Sequence, residues 1–202
     1  MPHYPASSSP ARSIVEAAAE RTGSRLASHG VRTGVVLFAA VLTGAAAQFA
    51  VSVPWTAVPF TMQPVAVLLA GAVLGARLGA LSQALYLALG VTGAAMFALS
   101  PVLAPGVARL VGPTGGFLLA FPLAAFATGW LADRGWTRTY AGAVAAMLAG
   151  LAALYAGGGL WLAALAGPSS LVTLWAFLAA DLVKVVVAAA ALPVAVRAFG
   201  VR

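Results

Sequence analysis

The chain contains no cysteine and few charged residues, which occupy only 7% of its 202 positions. The absence of cysteine excludes disulfide bonds and thiolate chemistry. Soluble domains use about 25% charged residues, and a chain that is 62% hydrophobic could not cover a water-exposed surface with so few. The composition therefore predicts a multi-pass integral membrane protein, and its length suits one bundle of about six spans.

Groups that perform catalysis or hold metals are scarce as well. The only histidines, His3 and His29, fall in a polar N-terminal stretch. The apolar runs hold no paired carboxylates, and no glycine-rich loop is followed by Gly-Lys-Ser/Thr, which excludes ATP hydrolysis through a P-loop. We therefore expect no enzyme activity, no catalytic residue, no metal site and no cofactor in this chain. The net charge of +7 does not indicate nucleic-acid binding, because the basic residues are scattered singly.

Apolar runs divide the chain into a polar tail, residues 1–30, and a membrane domain, residues 31–202. The predicted spans of this domain cover residues 33–53, 64–76, 78–98, 114–132, 139–165 and 171–199. The second span is short for a hydrocarbon core of about 30 Å. Three consecutive glycines, Gly157, Gly158 and Gly159, are expected to interrupt the fifth span.

The basic residues fall mainly on one side of this arrangement. If the N-terminus is cytoplasmic, nine of the eleven are cytoplasmic: Arg12, Arg21, Arg25, Arg32, Arg77, Arg134, Arg138, Arg197 and Arg202. Because cytoplasmic loops carry an excess of Arg and Lys, the distribution predicts six spans with both termini in the cytoplasm. Topology does not account for Arg109 and Lys184.

Lys184 is the only lysine of the chain, and it lies in an apolar run three residues after Asp181. Residues three apart share a face of a helix, so the two side chains are expected to pair. An ionisable group near the middle of a membrane helix costs roughly 2.5–3.5 kcal/mol, which must be compensated. One interpretation is a neutral buried pair that tethers the last span to a neighbour. The favoured one is a small-molecule site, where Lys184 meets an anionic group and Asp181 accepts from N–H donors.

Arg109 precedes a Gly-Pro-Thr-Gly-Gly turn, residues 112–116, that leads into the fourth predicted span. A turn of this kind brings backbone N–H groups together at the start of a helix. A solvated loop arginine is the simpler interpretation of Arg109 taken alone. Its place beside the turn makes it a further candidate for ligand binding.

Several short motifs occur together and in a characteristic order. They are Val58–Gln63 (VPFTMQ), Leu69–Gly75 (LAGAVLG), Tyr86–Gly90 (YLALG), Gly112–Phe117 (GPTGGF) and Asp181–Lys184 (DLVK). Together they resemble the BioY family, the substrate-binding S components of energy-coupling-factor (ECF) biotin transporters. The resemblance runs from the first predicted span to the C-terminus and leaves out the polar tail.

The resemblance implies an all-α membrane protein of the ECF S-component type, with six transmembrane helices in a bacterial cytoplasmic membrane. Such a protein captures biotin from the outer side. A transmembrane coupling protein and two cytoplasmic ATPases then drive uptake, so that ATP is used by the partners. The resemblance implicates Asp181, Lys184 and Arg109 in biotin binding, and places Thr61 and Gln63 in a loop that covers the site.

The chemistry of biotin suits these residues. Asp181 can accept hydrogen bonds from the ureido N–H groups, and either Lys184 or Arg109 can meet the carboxylate, a choice that the sequence leaves open. Aromatic side chains such as Tyr86, Phe60 and Trp175 are candidates to cover the apolar rings, the usual division of labour in ligand pockets.

Small residues of the first span, Ala40 and Gly44 among them, recur at spacings of four. This spacing allows helices to approach closely in lipid. The resemblance assigns the face to the coupling protein, and packing within the bundle is the alternative interpretation.

Two other classes of function remain open at this stage. A secondary transporter driven by an ion gradient could use its one intramembrane acid as a proton carrier, although the sequence shows no convincing two-fold repeat of the kind many such proteins have. A structural membrane subunit without a ligand is the other class.

Overall fold

The computed structural model describes residues 25–56, 58–100 and 105–198, and it is helical throughout most of that length. Of the predicted polar tail, residues 1–24 lie outside the described residues. The elements in chain order are α1 (Arg25–Gln48), β1 (Ala50–Val51), β2 (Phe60–Thr61), α2 (Gln63–Val91), α3 (Ala108–Val111), α4 (Gly115–Ala132), a 3₁₀ turn (Trp136–Arg138), α5 (Tyr140–Ala166), a second 3₁₀ turn (Pro168–Thr173), α6 (Leu174–Ala189) and α7 (Ala191–Ala198).

The helical membrane class predicted from composition is confirmed. Five helical segments of the described chain are long and apolar enough to cross a membrane: His29–Gln48, Gln63–Val91, Gly115–Ala132, Tyr140–Ala166 and Pro168–Ala198. Large apolar side chains are exposed on their outer faces, such as Phe38, Leu123 and Val187. Such a surface suits lipid and would be unstable in water.

The second of these segments, α2, reverses direction at Gly75. Gly75 has a φ of 81° and a ψ of 176°, outside the helical range, a conformation that glycine adopts without a Cβ penalty. Contacts between Gln63 and Tyr86 and between Gly71 and Gly79 are nearly symmetric about this point. The two arms, residues 63–74 and 76–91, therefore run antiparallel.

Asp133, which immediately follows α4, stabilises this reversal. Its Oδ2 accepts a hydrogen bond from the backbone N–H of Ala76 at 3.0 Å. Ala76 is the first residue of the second arm, so the carboxylate satisfies one of the free N–H groups at the start of that helix. Its negative charge also interacts favourably with the positive end of the helix dipole.

Two helices end earlier in the structure than the predicted spans do. The second arm ends at Val91, short of residue 98, because Gly93 has a φ of 91° and a glycine of positive φ just past the last turn ends a helix. The first helix ends at Gln48, before the predicted residue 53, because Ala50 and Val51 pair with Thr61 and Phe60 in a short antiparallel ladder.

The predicted interruption of the fifth span is wrong. Helix α5 runs without a break through Gly157, Gly158 and Gly159. A Cβ at Gly158 would overlap the ring of Phe117. The glycines therefore make room for a close approach of α4.

The last predicted span, 171–199, consists of more than one helix. A 3₁₀ turn precedes α6, and a break at Ala190 separates α6 from α7. Pro193 accounts for the break, because its ring clashes with the carbonyl of the residue four before it. Residue 199 lies outside the described residues.

Ala40 and Gly44 face the inside of the bundle. Ala40 is fully buried, and a Cβ at Gly44 would lie 2.9 Å from the sulfur of Met96. This placement favours packing within the bundle over a surface for a partner protein. The exposed face of α1 carries larger side chains instead: Leu37, Phe38, Val41 and Leu42.

Candidate ligand-binding site

A cavity opens at the end of the bundle opposite Gly75. It encloses about 680 Å³ of atom-free space, a figure that includes the open space at its mouth. Segments from across the chain form its wall: β2 and the residues beside it, residues 97–98, α3, and the facing sides of α4, α5 and α6. The wall is mostly apolar, with a few polar side chains that converge on the interior.

The predicted pairing of Asp181 with Lys184 is confirmed. Lys184 Nζ lies 2.8 Å from Asp181 Oδ1, and both residues line the cavity. The side chains are only 21% and 9% exposed, respectively. The short distance makes this a charge-assisted hydrogen bond, which is stronger than a bond between neutral groups.

Two further contacts extend the pair into a network. Tyr155 Oη donates to Asp181 Oδ2 at 2.8 Å, and Lys184 Nζ donates to the carbonyl oxygen of Thr61, also at 2.8 Å. The network thereby joins α6 to α5 and to β2. A buried pair that is also hydrogen-bonded to its surroundings avoids the cost of uncompensated charge.

Arg109 is buried in the cavity wall and is 5% exposed, so it is not a solvated loop residue. Its Nη2 donates to the carbonyl oxygen of Ala98 at 2.9 Å. Burial lowers the pKa of Arg109 from its usual value, but arginine starts so high that the guanidinium stays charged at neutral pH. The site therefore holds a fixed positive charge.

The predicted site residues Thr61, Gln63 and Tyr86 take different positions. Thr61 and Gln63 line the cavity, whereas Tyr86 is fully buried behind its wall. Gln63 Nε2 donates to Tyr86 Oη at 2.6 Å, so Tyr86 holds the Gln63 side chain in place. Tyr86 does not itself line the cavity.

Aromatic side chains provide most of the apolar wall, and of these only Phe60 was selected from the sequence. Phe60 stacks on Phe177 with ring centroids 3.9 Å apart and planes 17° from parallel. Phe117 meets Tyr155 edge to face at 5.9 Å. Phe97 and Phe121 complete this wall, which is suited to a flat or ring-shaped apolar ligand.

Helical spacing could have identified Phe177. Leu174, Phe177, Asp181 and Lys184 all line the cavity, and their offsets of three, four and three place them on one face of α6. Trp175 lies six residues before Asp181, which turns it away from that face, and it is 71% exposed.

Tyr155 was missed because its partner Asp181 is 26 residues away in sequence. Thr114 also lines the cavity, and it was quoted only as part of the glycine-rich turn. The described residues contain no group of three or more His, Asp or Glu side chains that could hold a metal ion.

Comparisons with known proteins agree on one family. A model of the BioY family matches residues 22–201. The chain is 37% identical to "Biotin transporter BioY" of Rhizobium etli over 166 residues, which cover 76% of this chain and 86% of the relative. It is 40% identical to "Probable biotin transporter BioY" of Pyrococcus horikoshii over 152 residues, covering 74% and 86%.

The fold is similar to that of a solved structure. The crystal structure of the S-component for biotin from an ECF-type ABC transporter superimposes with a TM-score of 0.72, covering 80% of this chain and 88% of that one. Sequence identity between the two is 21%, so this match concerns the fold.

Proposed function

The chain belongs to the BioY family, and on that basis we propose that it is the biotin-binding S component of an ECF-type importer. The named relatives are transporters rather than enzymes. The observation that carries the proposal is the cavity, which combines an aromatic wall with Asp181, Lys184, Tyr155 and Arg109. Biotin needs both kinds of surface, since it joins an apolar ring system to a polar ureido group and a carboxylate.

We propose that the ureido group of biotin binds at the Asp181 network and the carboxylate at Arg109. Asp181 is an acceptor for ureido N–H groups, and Lys184 or Tyr155 can donate to the ureido carbonyl. The carboxylate of Asp181 lies 2.8 Å from Lys184 and would repel a second carboxylate there. Arg109, whose Nη2 bonds to a neutral carbonyl, provides positive charge elsewhere in the wall.

Six spans with both termini in the cytoplasm account best for the charge distribution. The reversal at Gly75 divides α2 into two arms, which brings five helical segments to six. Arg77 lies beside the Asp133–Ala76 contact, and α7, which carries Arg197, packs against the turn that ends at Arg138. These arginines are therefore at the Gly75 end, away from the cavity, which supports an outward-facing site in a bacterial inner membrane.

We propose that the energy for uptake comes from other subunits. The resemblance to ECF S components implies two cytoplasmic ATPases and a transmembrane coupling protein, and this chain carries no P-loop of its own. ATP is then a substrate of the partners and not a cofactor of this chain.

Replacing Arg109 by glutamine tests the carboxylate assignment. We expect biotin affinity to fall about 10- to 100-fold, because a hydrogen bond to a charged group contributes about 1.5–3 kcal/mol. The affinity for biotin methyl ester, which lacks the charge, should change much less. Titration of purified protein with both ligands measures the difference.

The matched control is Arg134→Gln. Arg134 stacks on Trp130 at 3.3 Å and lies outside the cavity, so its removal should leave both affinities unchanged. Equal losses for biotin and its ester in Arg109→Gln would contradict the carboxylate assignment.

An uptake assay separates this proposal from a secondary transporter. Vesicles that contain only this chain should not accumulate labelled biotin under a proton gradient, and accumulation should appear once the coupling protein and ATPases are added with ATP. Gradient-driven accumulation by the chain alone, lost in Asp181→Asn, would support the secondary transporter instead.

A further inference from the structure

Thr114 carries a buried hydroxyl group that no other residue of the described chain satisfies. It immediately precedes α4, lines the cavity and is 9% exposed. Within residues 25–56, 58–100 and 105–198, no atom forms a hydrogen bond with its Oγ1. Buried hydroxyl groups are nearly always paired in folded proteins, so this one needs an explanation.

The usual explanation for threonine at a helix start does not apply. A capping threonine adopts an extended backbone and accepts from an N–H group of the first turn. Thr114 has a φ of −89° and a ψ of −4°, and its side chain makes no such bond. Within the described part of the chain its hydroxyl therefore lacks a partner, although the residue lines the cavity. It bears the desolvation cost of an unmade hydrogen bond unless a ligand provides one.

The surroundings of Thr114 favour a negatively charged group. Helix α4 spans 18 residues, and its N-terminus carries partial positive charge and unsatisfied N–H groups. Arg109 is nearby, because Gly115 passes so close to the Leu110 carbonyl that a Cβ there would overlap it. That close turn brings the start of α4 against the helix that bears the guanidinium.

We propose that Thr114 is a ligand-binding residue whose hydroxyl donates a hydrogen bond to the carboxylate of biotin, beside Arg109. This inference rests on the proposed function and adds a contact that determines specificity for the acid. The side chains of Phe117, Leu118 and Phe121 follow Thr114 along the cavity-facing side of α4. The same helix would then provide both a polar contact for the carboxylate and an apolar contact for the valeryl chain.

The test compares Thr114→Val with Thr114→Ser in the purified full-length chain. Valine keeps the shape and removes the hydroxyl, whereas serine keeps the hydroxyl. We expect Thr114→Val to weaken biotin binding about 10-fold and Thr114→Ser to stay within about 3-fold of the unaltered chain, in line with the strength of a hydrogen bond to a charged group. The loss in Thr114→Val should largely disappear when biotin methyl ester replaces biotin.

The thermal stability of the unliganded Thr114→Val variant distinguishes a binding role of the hydroxyl from a structural one. Removal of an unpaired buried hydroxyl relieves a desolvation cost, so the thermal midpoint of unliganded Thr114→Val should be equal to or above that of the unaltered chain. A structural hydroxyl would give a lower midpoint. Thr128→Val is the matched control, because Thr128 lies in α4, the helix that Thr114 precedes, donates to Ala124 O at 3.0 Å and does not line the cavity.

The outcomes separate this inference from the proposed function. If the unaltered chain binds no biotin, the proposed function fails and this inference fails with it. If the unaltered chain binds biotin and Thr114→Val binds it equally well, only the role of Thr114 is overturned. An equal loss for biotin and its methyl ester would overturn the carboxylate contact.

Discussion

Asp181→Asn is expected to weaken biotin binding by about 30-fold or more. Asparagine keeps the size of the side chain but removes the charge that pairs with Lys184 at 2.8 Å and accepts from Tyr155 at 2.8 Å. Loss of one member of a buried, hydrogen-bonded charge pair costs about 2–5 kcal/mol, and each 1.4 kcal/mol is a factor of ten in affinity. The amide would also present a weaker acceptor to the ureido N–H groups.

A double variant separates binding from folding in this experiment. Asp181→Asn alone leaves Lys184 buried without its counter-charge, which should also lower the free energy of unfolding. Asp181→Asn combined with Lys184→Met removes both charges, so stability should recover while binding stays weak. Recovery of tight biotin binding in the double variant would contradict a direct role for Asp181.

Gly71→Ala is expected to destabilise the protein by about 3 kcal/mol. A Cβ at position 71 would overlap the carbonyl oxygen of Ala125 in α4. Gly79, in the antiparallel arm, packs against the other side of Gly71, where a Cβ at 79 would lie 2.8 Å from the Gly71 Cα. Because these neighbours are backbone atoms, they cannot make room by a change of rotamer. Overpacking in a core costs about 1–3 kcal/mol or more. Denaturant unfolding in detergent micelles measures the change.

Gly34→Ala provides the matched control. Gly34 lies within α1, and a Cβ there would meet nothing within 4 Å. Alanine favours a helix over glycine by about 0.5–1 kcal/mol, so this variant should be slightly more stable. If Gly71→Ala proved as harmless as Gly34→Ala, the close packing of the two arms against α4 would be contradicted.

The sequence allowed the membrane class and the pairing in the site to be predicted because both depend on local rules. Low charge and long apolar runs are enough to predict helices in lipid. The spacing of three between Asp181 and Lys184 is enough to predict a pair on one face. The reversal near Gly75 was also visible, since Arg77 divides the apolar run at that point.

The missed features depend on contacts between distant segments. Tyr155 contacts Asp181 from another helix. Thr61 accepts from Lys184 through its backbone carbonyl, a contact that does not depend on the side chain and so cannot be predicted from a side-chain pattern. Glycines were misjudged for a related reason. Gly158 allows Phe117 to pack closely against α5, whereas an isolated reading of Gly157–Gly159 suggests a break.

For the same reason, the sequence did not predict the positions of Ala40 and Tyr86. A stripe of small residues predicts close helix packing but does not say which surface it meets, and here the buried face is inside the bundle. Tyr86 and Gln63 were both associated with the site. Only the three-dimensional arrangement shows that Gln63 lines the cavity, while Tyr86 holds the Gln63 side chain in place.

A calorimetric titration of the purified chain with biotin tests whether the cavity is a biotin site. We expect saturable binding at one site per chain, without any partner subunit or nucleotide. An analogue in which the ureido group is removed should bind much more weakly, because the buried polar groups around Asp181 would be left unpaired. Absence of binding by the intact chain, or equal affinity for biotin and that analogue, would contradict the assignment of the cavity as a biotin site.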